Sequence, residues 1–260
     1  MFGIALRFGN LGKSSSLPPI IATGGSITTA NINGLNYKIH QFTSVGNNTF
    51  TVTSGGLIDI LLVGGGQAGD TTTNGSANGG SAGDVIYYTN IMVNSGTYTF
   101  SVGRGGTGIN PADGYNFTNP TNTTALGYTA IGGHANGHSK GTPNYGYTGG
   151  GAGGAGAGGN GYDGGNYSSG RGGSPMTVDI LGYSTSYGGG GGGAGGNSNS
   201  NYGQGGGATA GRGNAQSPGN FDYFNADPNT GSGGGAGAGI GYNGYSGNGG
   251  SGIIILRYQV

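Results

Sequence analysis

Short runs of β-branched and aromatic residues, bounded by turn chemistry, mark the early part of the chain. YKIHQFT (37–43), NTFTVT (48–53) and LIDILLV (57–63) are separated by VGN (45–47) and SGG (54–56). DVIYYTNIMV (84–93) and YTFSV (98–102) continue the pattern around NSG (94–96). Each run reads as a strand. One further run, IIILRY (253–258), stands alone after a long glycine-rich stretch. A terminal strand that apolar must pair with the early strands, which brings the two ends of the domain together. No segment carries an apolar stripe at the 3.6-residue period, so almost no helix is expected. MFGIALRFGNLGK (1–13) alternates apolar and polar residues and is followed by SSS (14–16) and PP (18–19). Residues 1–33 are therefore set apart as an anchor and linker, with an N-terminal strand of the same domain as the alternative reading.

Composition changes this picture. Glycine supplies 71 of 260 residues, against an average near 7%. It is unevenly spread, with 9 in residues 1–63 and 43 in residues 146–252. There is no cysteine, tryptophan or glutamate, and eight Lys and Arg balance eight Asp. A disulfide framework is excluded. The basic stripe of a nucleic-acid binder is missing. No apolar run is long enough to span a bilayer as a helix, and residues 1–13 lack the apolar core of a signal peptide.

As ordered chain, glycine at this density has three structural options. Collagen needs an uninterrupted three-residue glycine repeat rich in proline, and eight prolines exclude it. Silk-like sheet is suggested only by GAGAG at 154–158 and 235–239. Polyglycine II, a bundle of extended left-handed helices with three residues per turn, fits the spacing better. Gly150, Gly153, Gly156 and Gly159 share one phase, and Gly189, Gly192 and Gly195 another. Gly231, Gly234 and Gly237 form a third, and Gly241, Gly244, Gly247 and Gly250 a fourth. The expected fold is mostly β with a polyglycine II bundle. A β-rich domain over 34–145, completed by 253–258, joins a bundle over 146–252.

Tyrosine, asparagine and serine fill the breaks between the glycine runs, as in TPNYGYT (142–148), YDGGNYSS (162–169), YSTSY (183–187) and QSPGNFDYFNADPNT (216–230). Tyrosine offers large contact area at low entropic cost, and Ser, Gly and Asn adapt their hydrogen bonds. Loops of this kind on a rigid bundle form a recognition device, whereas the plainer reading has the rings covering bundle edges. The candidate binding residues are Tyr145, Tyr147, Tyr167, Tyr183, Tyr187, Tyr202, Phe221, Tyr223, Phe224, Tyr242 and Tyr245.

LLVGGG (61–66), GGSAGDV (79–85), YTFSVGRGG (98–106) and the closing GGSGIIILRY (249–258) resemble the glycine-rich domain of viral fibre proteins. The chain is similar in particular to the tail-fibre tip adhesins of T-even-like phages. The resemblance implies a polyglycine II sandwich on a virion whose variable loops contact a host-surface protein or glycan. Attachment to other virion proteins is expected through the N-terminal segment, without membrane insertion, and fibres of this kind act as trimers or single copies. Those adhesins carry a tryptophan-containing attachment region that this chain lacks. The alternative within the same class is a virion structural or decoration protein that binds only other virion proteins.

Chemistry-bearing motifs are few. Gly12-Lys13-Ser14 lacks the upstream glycine of a phosphate-binding loop, because position 7 is Arg7. His134 and His138 have a spacing that joins two metal ligands only on a helix, and Ala-Asn-Gly between them argues for a loop. Asp227–Gly231 faintly resembles a calcium loop but has only Asp222 as a nearby carboxylate. No nucleophile, base and acid set follows from spacing. No cofactor, no metal and no enzyme activity are expected.

Overall fold

The computed structural model describes residues 19–72, 76–109, 118–142, 151–165, 168–195, 205–207, 209–211, 224–238 and 245–260. The strands are β1 (Ile21–Thr23), β2 (Ser26–Ile32), β3 (Leu35–Phe42), β4 (Gly46–Ser54), β5 (Gly56–Val63), β6 (Thr71–Thr72) and β7 (Val85–Val93). They continue as β8 (Gly96–Val102), β9 (Thr123–Ala125), β10 (Tyr128–Ala130), β11 (Met176–Val178), β12 (Thr185–Tyr187), β13 (Gly237–Ala238) and β14 (Ile253–Gln259). Among the described residues the one helical element is a 3-10 turn, Ala135–Gly137. The protein is mostly β.

Two five-stranded sheets, ordered β1-β4-β8-β9-β10 and β2-β3-β14-β5-β7, are antiparallel throughout. The expected pairing of the terminal strand is present. β14 lies between β3 and β5, with Ile255 opposite Gln41 on one side and Leu61 on the other. Ile253 to Leu256 are buried in succession, because a central strand covered on both faces must be apolar on both. Ile254, Leu256 and Tyr258 face the first sheet, and Phe42 of β3 meets Phe50 and Phe100 of that sheet at the centre of the core. Ile253 and Ile255 face away and pack with Leu61, Val63, Ile180 and Tyr187 beneath the β11–β12 hairpin. Arg257 holds that hairpin down: its guanidinium donates to Asp59 (2.8 Å) and to the Asp179 carbonyl (3.1 Å).

The N-terminal expectation needs correction. β1 and β2 are sandwich strands, so residues 19–33 are not a linker; residues 1–18 lie outside the described residues. Gly24 and Gly25, with φ of +122° and +63°, turn the corner from one sheet to the other, a path other residues rarely adopt.

The boundary at residue 145 also dissolves. β5 and β8 run directly into segments 64–70 and 103–108, β10 runs into the turn at 131–135, and segments 77–84 and 245–252 lead into β7 and β14. These segments bond with the later glycine runs, and partners recur every third residue. The N–H groups of Gly64, Gln67 and Asp70 reach the carbonyls of Asp84, Ser81 and Asn78. Gly79 and Ala82 reach Ala152 and Ala155, while Gly80 and Gly83 turn to Gly234 and Gly231. Gly151, Gly154 and Ala157 reach Ala194, Gly191 and Gly188. Neighbouring residues thus address different neighbouring segments, unlike a β-ladder, whose side chains and bonds alternate at a period of two. Such close approach leaves no room for side chains. A Cβ on Gly65 would fall on the Arg104 carbonyl oxygen, and one on Gly191 on that of Gly234.

Crowding of this kind is measurable. Gly65→Ala and Gly191→Ala each lose about 2 kcal/mol or more of stability by overpacking. Gly159→Ala stays within about 0.5 kcal/mol, since the nearest atom to its added Cβ lies at 3.9 Å; urea denaturation of the three variants checks this contrast. A second prediction concerns His40, fully buried between the sheets, whose Nδ1 lies 2.7 Å from the Gly24 carbonyl and whose Nε2 lies 3.0 Å from the Tyr258 hydroxyl. A carbonyl only accepts, so Nδ1 carries the proton and Nε2 accepts from Tyr258. Burial lowers its pKa below 6.5, the Gly24 bond opposes the shift, and the Lys38 charge adds to it. The neutral ring therefore stabilises the fold above about pH 6.5, and that stability falls as pH drops through the folded pKa, with a slope of at most about 1.4 kcal/mol per pH unit. His40→Phe flattens the pH 7 to 5 portion of the stability profile; an unchanged slope would assign it to other groups.

Candidate binding surface

The assembly of glycine runs has one end joined to the sandwich and one free end. Gly64 N–Asp84 O (2.9 Å) and Gly252 N–Gly103 O (2.9 Å) mark the joined end. Asp70 N–Asn78 O (2.8 Å), Gly237 N–Asp70 O (2.9 Å), Gly151 N–Ala194 O (3.0 Å) and Ser246 N–Ile109 O (3.2 Å) mark the free one. A short parallel pairing of β6 with β13 crosses it. Ala77, Ala194 and Ala236 fill the gaps between runs there.

This end is also where the chain leaves and re-enters the described lattice. Thr72 and Ser76, Ile109 and Thr118, and Ala238 and Tyr245 flank residues 73–75, 110–117 and 239–244. Gly151 and Phe224, where the chain returns after residues 143–150 and 212–223, are held by Ala194 and by Gly235, two positions from Gly237. Tyr145, Tyr147, Tyr167, Tyr202, Phe221, Tyr223 and Tyr242 lie outside the described residues.

The four described candidates divide. Phe224 and Tyr245 are half-buried at the edge of the glycine lattice. Tyr183 is 65% exposed at the tip of the β11–β12 hairpin. It follows Gly182, whose α-carbon faces Ile32, so it belongs to the sandwich end remote from the lattice. Tyr187 departs from the expectation. It is 4% exposed because strand alternation on β12 turns it inward onto Leu61, Ile180 and Ile255. Burial, with a smaller contribution from Tyr183 and opposed by the neighbouring Thr185 hydroxyl, pushes its hydroxyl up to about pKa 12. Its ring is core, and no partner can use it.

Sequence reasoning overlooked Tyr162, which is 57% exposed while its N–H and carbonyl are fixed to Arg171 and Gly153. Its place beside the 151–159 glycine run was the available signal. A cleft at the free end was also missed. It measures about 370 Å3 and is lined by Asp70, Thr71, Ser76, Asn78 and Ile109 over a floor of Gly69 and Ala77. The Asp70 carboxylate stands 3.9 Å from Lys140 Nζ, and Asn78 Oδ1 accepts from Ala152 N at 3.1 Å. No composition signal links these positions, because the lattice bonds that gather them are made by backbone alone.

The two histidines of the suspected pair serve different partners. His134 Nδ1 is 2.8 Å from Asp84 Oδ1, which also accepts from Asn136 N (2.6 Å). His138 Nδ1 is 3.2 Å from Asn160 Oδ1. Asp227–Gly231 is a turn in which Thr230 Oγ1 donates to the Asp227 carbonyl (2.7 Å) and Asn229 N to Ser251 Oγ (2.9 Å). Among the described residues no three His, Cys, Asp or Glu side chains gather as a metal site.

Comparison with protein families matches residues 43–259 to the glycine-rich domain family. The chain belongs to that family. The matched span of this glycine-rich domain runs from the β3–β4 turn through every glycine run to β14. Curated proteins give no match.

Proposed function

We propose that this glycine-rich domain protein is a non-enzymatic viral fibre or tail-tip adhesin. In this reading the free end of the glycine lattice recognises a host-surface protein or glycan, and the sandwich end attaches to other virion proteins. The carrying observation is that the free end anchors the flanks of the Tyr- and Asn-rich segments on a rigid lattice of backbone hydrogen bonds. Rigid scaffolds with variable connections at one end are a general arrangement for binding. At the opposite end Leu35, Leu57, Met92 and Tyr183 are 42–65% exposed, and the described chain begins there at Pro19, beside the Ile21–Ser54 pair. That exposed apolar group suits attachment through the N-terminal segment. It is also what favours the second reading, a virion decoration protein that works through this end alone.

The glycine runs in this proposal are polyglycine II. The three-residue recurrence of bonding partners supports it, since only a threefold screw turns successive N–H groups to three different sides. The expected backbone dihedrals are those of the polyproline II region. Chemical-shift-derived dihedrals of residues 77–84 and 188–194 that cluster instead in the antiparallel-strand region would replace the bundle with sheet.

Recognition is tested on particles carrying the substitutions Phe221→Ala, Tyr223→Ala and Phe224→Ala together. Adsorption to the host falls about 30-fold or more, as for loss of a central aromatic contact, with folding and assembly intact. Normal adsorption makes the aromatics edge covering. Failed assembly makes them an attachment surface and favours the decoration reading.

A further inference from the structure

The cleft at the free end carries a more specific reading, which rests on the recognition role proposed for that end. The geometry points to a subsite for one neutral sugar ring, held by Asp70 and Asn78 with Ile109 as its apolar platform. Its volume of about 370 Å3 accommodates a pyranose with a substituent and falls at the small end of ligand sites. Asp70 contributes a carboxylate acceptor, and Asn78, whose Oδ1 is engaged by Ala152 N, contributes its NH2 donor. Adjacent hydroxyls of a pyranose each donate and accept, so an acceptor beside a donor matches a vicinal pair. The two residues are locked together by the Asp70 N–Asn78 O bond of 2.8 Å, so the pair is set before any ligand arrives. Ile109, fixed through its N–H to Ser246 Oγ (3.0 Å) and its carbonyl to Ser246 N (3.2 Å), offers the C–H face of the ring an apolar surface.

Charge excludes the alternatives. Lys140 Nζ, outside the lining at 3.9 Å in a half-exposed surface pair, only partly screens the Asp70 carboxylate, so the cleft keeps an acceptor that disfavours anions. A phosphate would meet a carboxylate at half exposure, and a uronate would be repelled by it. A divalent cation needs more oxygen ligands than one carboxylate supplies.

The test is a titration of the full isotope-labelled chain with methyl glycosides of glucose, galactose and mannose, and with glucuronate, read by amide chemical shifts. At least one neutral glycoside shifts the amides of Asp70, Asn78 and Ile109 saturably, with a Kd on the order of 1–10 mM for a ligand of about a dozen non-hydrogen atoms. Asp70→Ala and Ile109→Ala each weaken it about tenfold or more. Among the described residues the Asp70 carboxylate pairs only with Lys140, at 3.9 Å on the surface, so its variant keeps the wild-type melting temperature. Silence of these amides to every neutral glycoside overturns the proposal, as does equal binding of glucuronate. Adsorption that still depends on Phe221 and Tyr223 while the cleft stays silent overturns the sugar site and leaves the recognition role standing. Glycoside binding with adsorption unaffected by Asp70→Ala assigns the ring to this cleft and removes it from host recognition.

Discussion

Backbone hydrogen bonding between extended runs is the constraint on which the rest of the structure depends. Buried N–H and C=O groups must find partners, and here segments with almost no side chains satisfy them through one another. Residues 77–84 alone bond to 64–70, 131–135, 151–157, 188–194 and 231–237. That density of neighbours demands glycine, since a Cβ at Gly65 or Gly191 would occupy the position of a carbonyl oxygen. Alanine is tolerated only where the lattice leaves a gap, as at Ala82, Ala135 and Ala155. Each glycine loses more freedom on ordering than another residue would, so the lattice needs a template that fixes its ends.

The sandwich is that template. Its strands do not stop at the sheet edge but pass into the runs, so register set by Phe, Ile and Leu packing is carried into segments that have no side chains to set their own. The β5–β14 pair shows this: Ile253 stands opposite Val63, and one residue beyond each the chain enters the lattice at Gly252 and Gly64. Asp84 secures a second junction. It accepts from Ile131 N, Asn136 N and His134, tying the start of β7 to the 3-10 turn after β10.

This architecture gives the molecule two chemically different ends. One is a sandwich end with exposed Leu, Met and Tyr; the other is a polar lattice end with a cleft and the flanks of the tyrosine-bearing segments. Tyr183 and Tyr187 stand four residues apart in sequence, yet one is exposed at the sandwich end and the other is sealed in its core. Composition alone grouped them.

The sequence by itself determined β3, β4, β5, β7 and β8 and their closure by β14, but not β1 and β2 or the short strands among the glycine runs. β-Branched and aromatic runs bounded by glycine turns are strand chemistry on local grounds, and IIILRY could be stable only as a strand covered on both faces. It also offered a three-residue phase in the glycine spacing, which is what prompts the polyglycine II proposal. Tertiary structure decided where the glycine lattice begins. Residues 64–70 and 77–84 joined it although they sit among the strands, because hydrogen-bond partners are chosen by space and not by composition. Only tertiary structure decided that Tyr187 is core, since a three-residue strand shows no alternation long enough to read. The same holds for Asp70, Asn78 and Ile109, brought to one cleft by backbone bonds that leave no mark on side-chain identity.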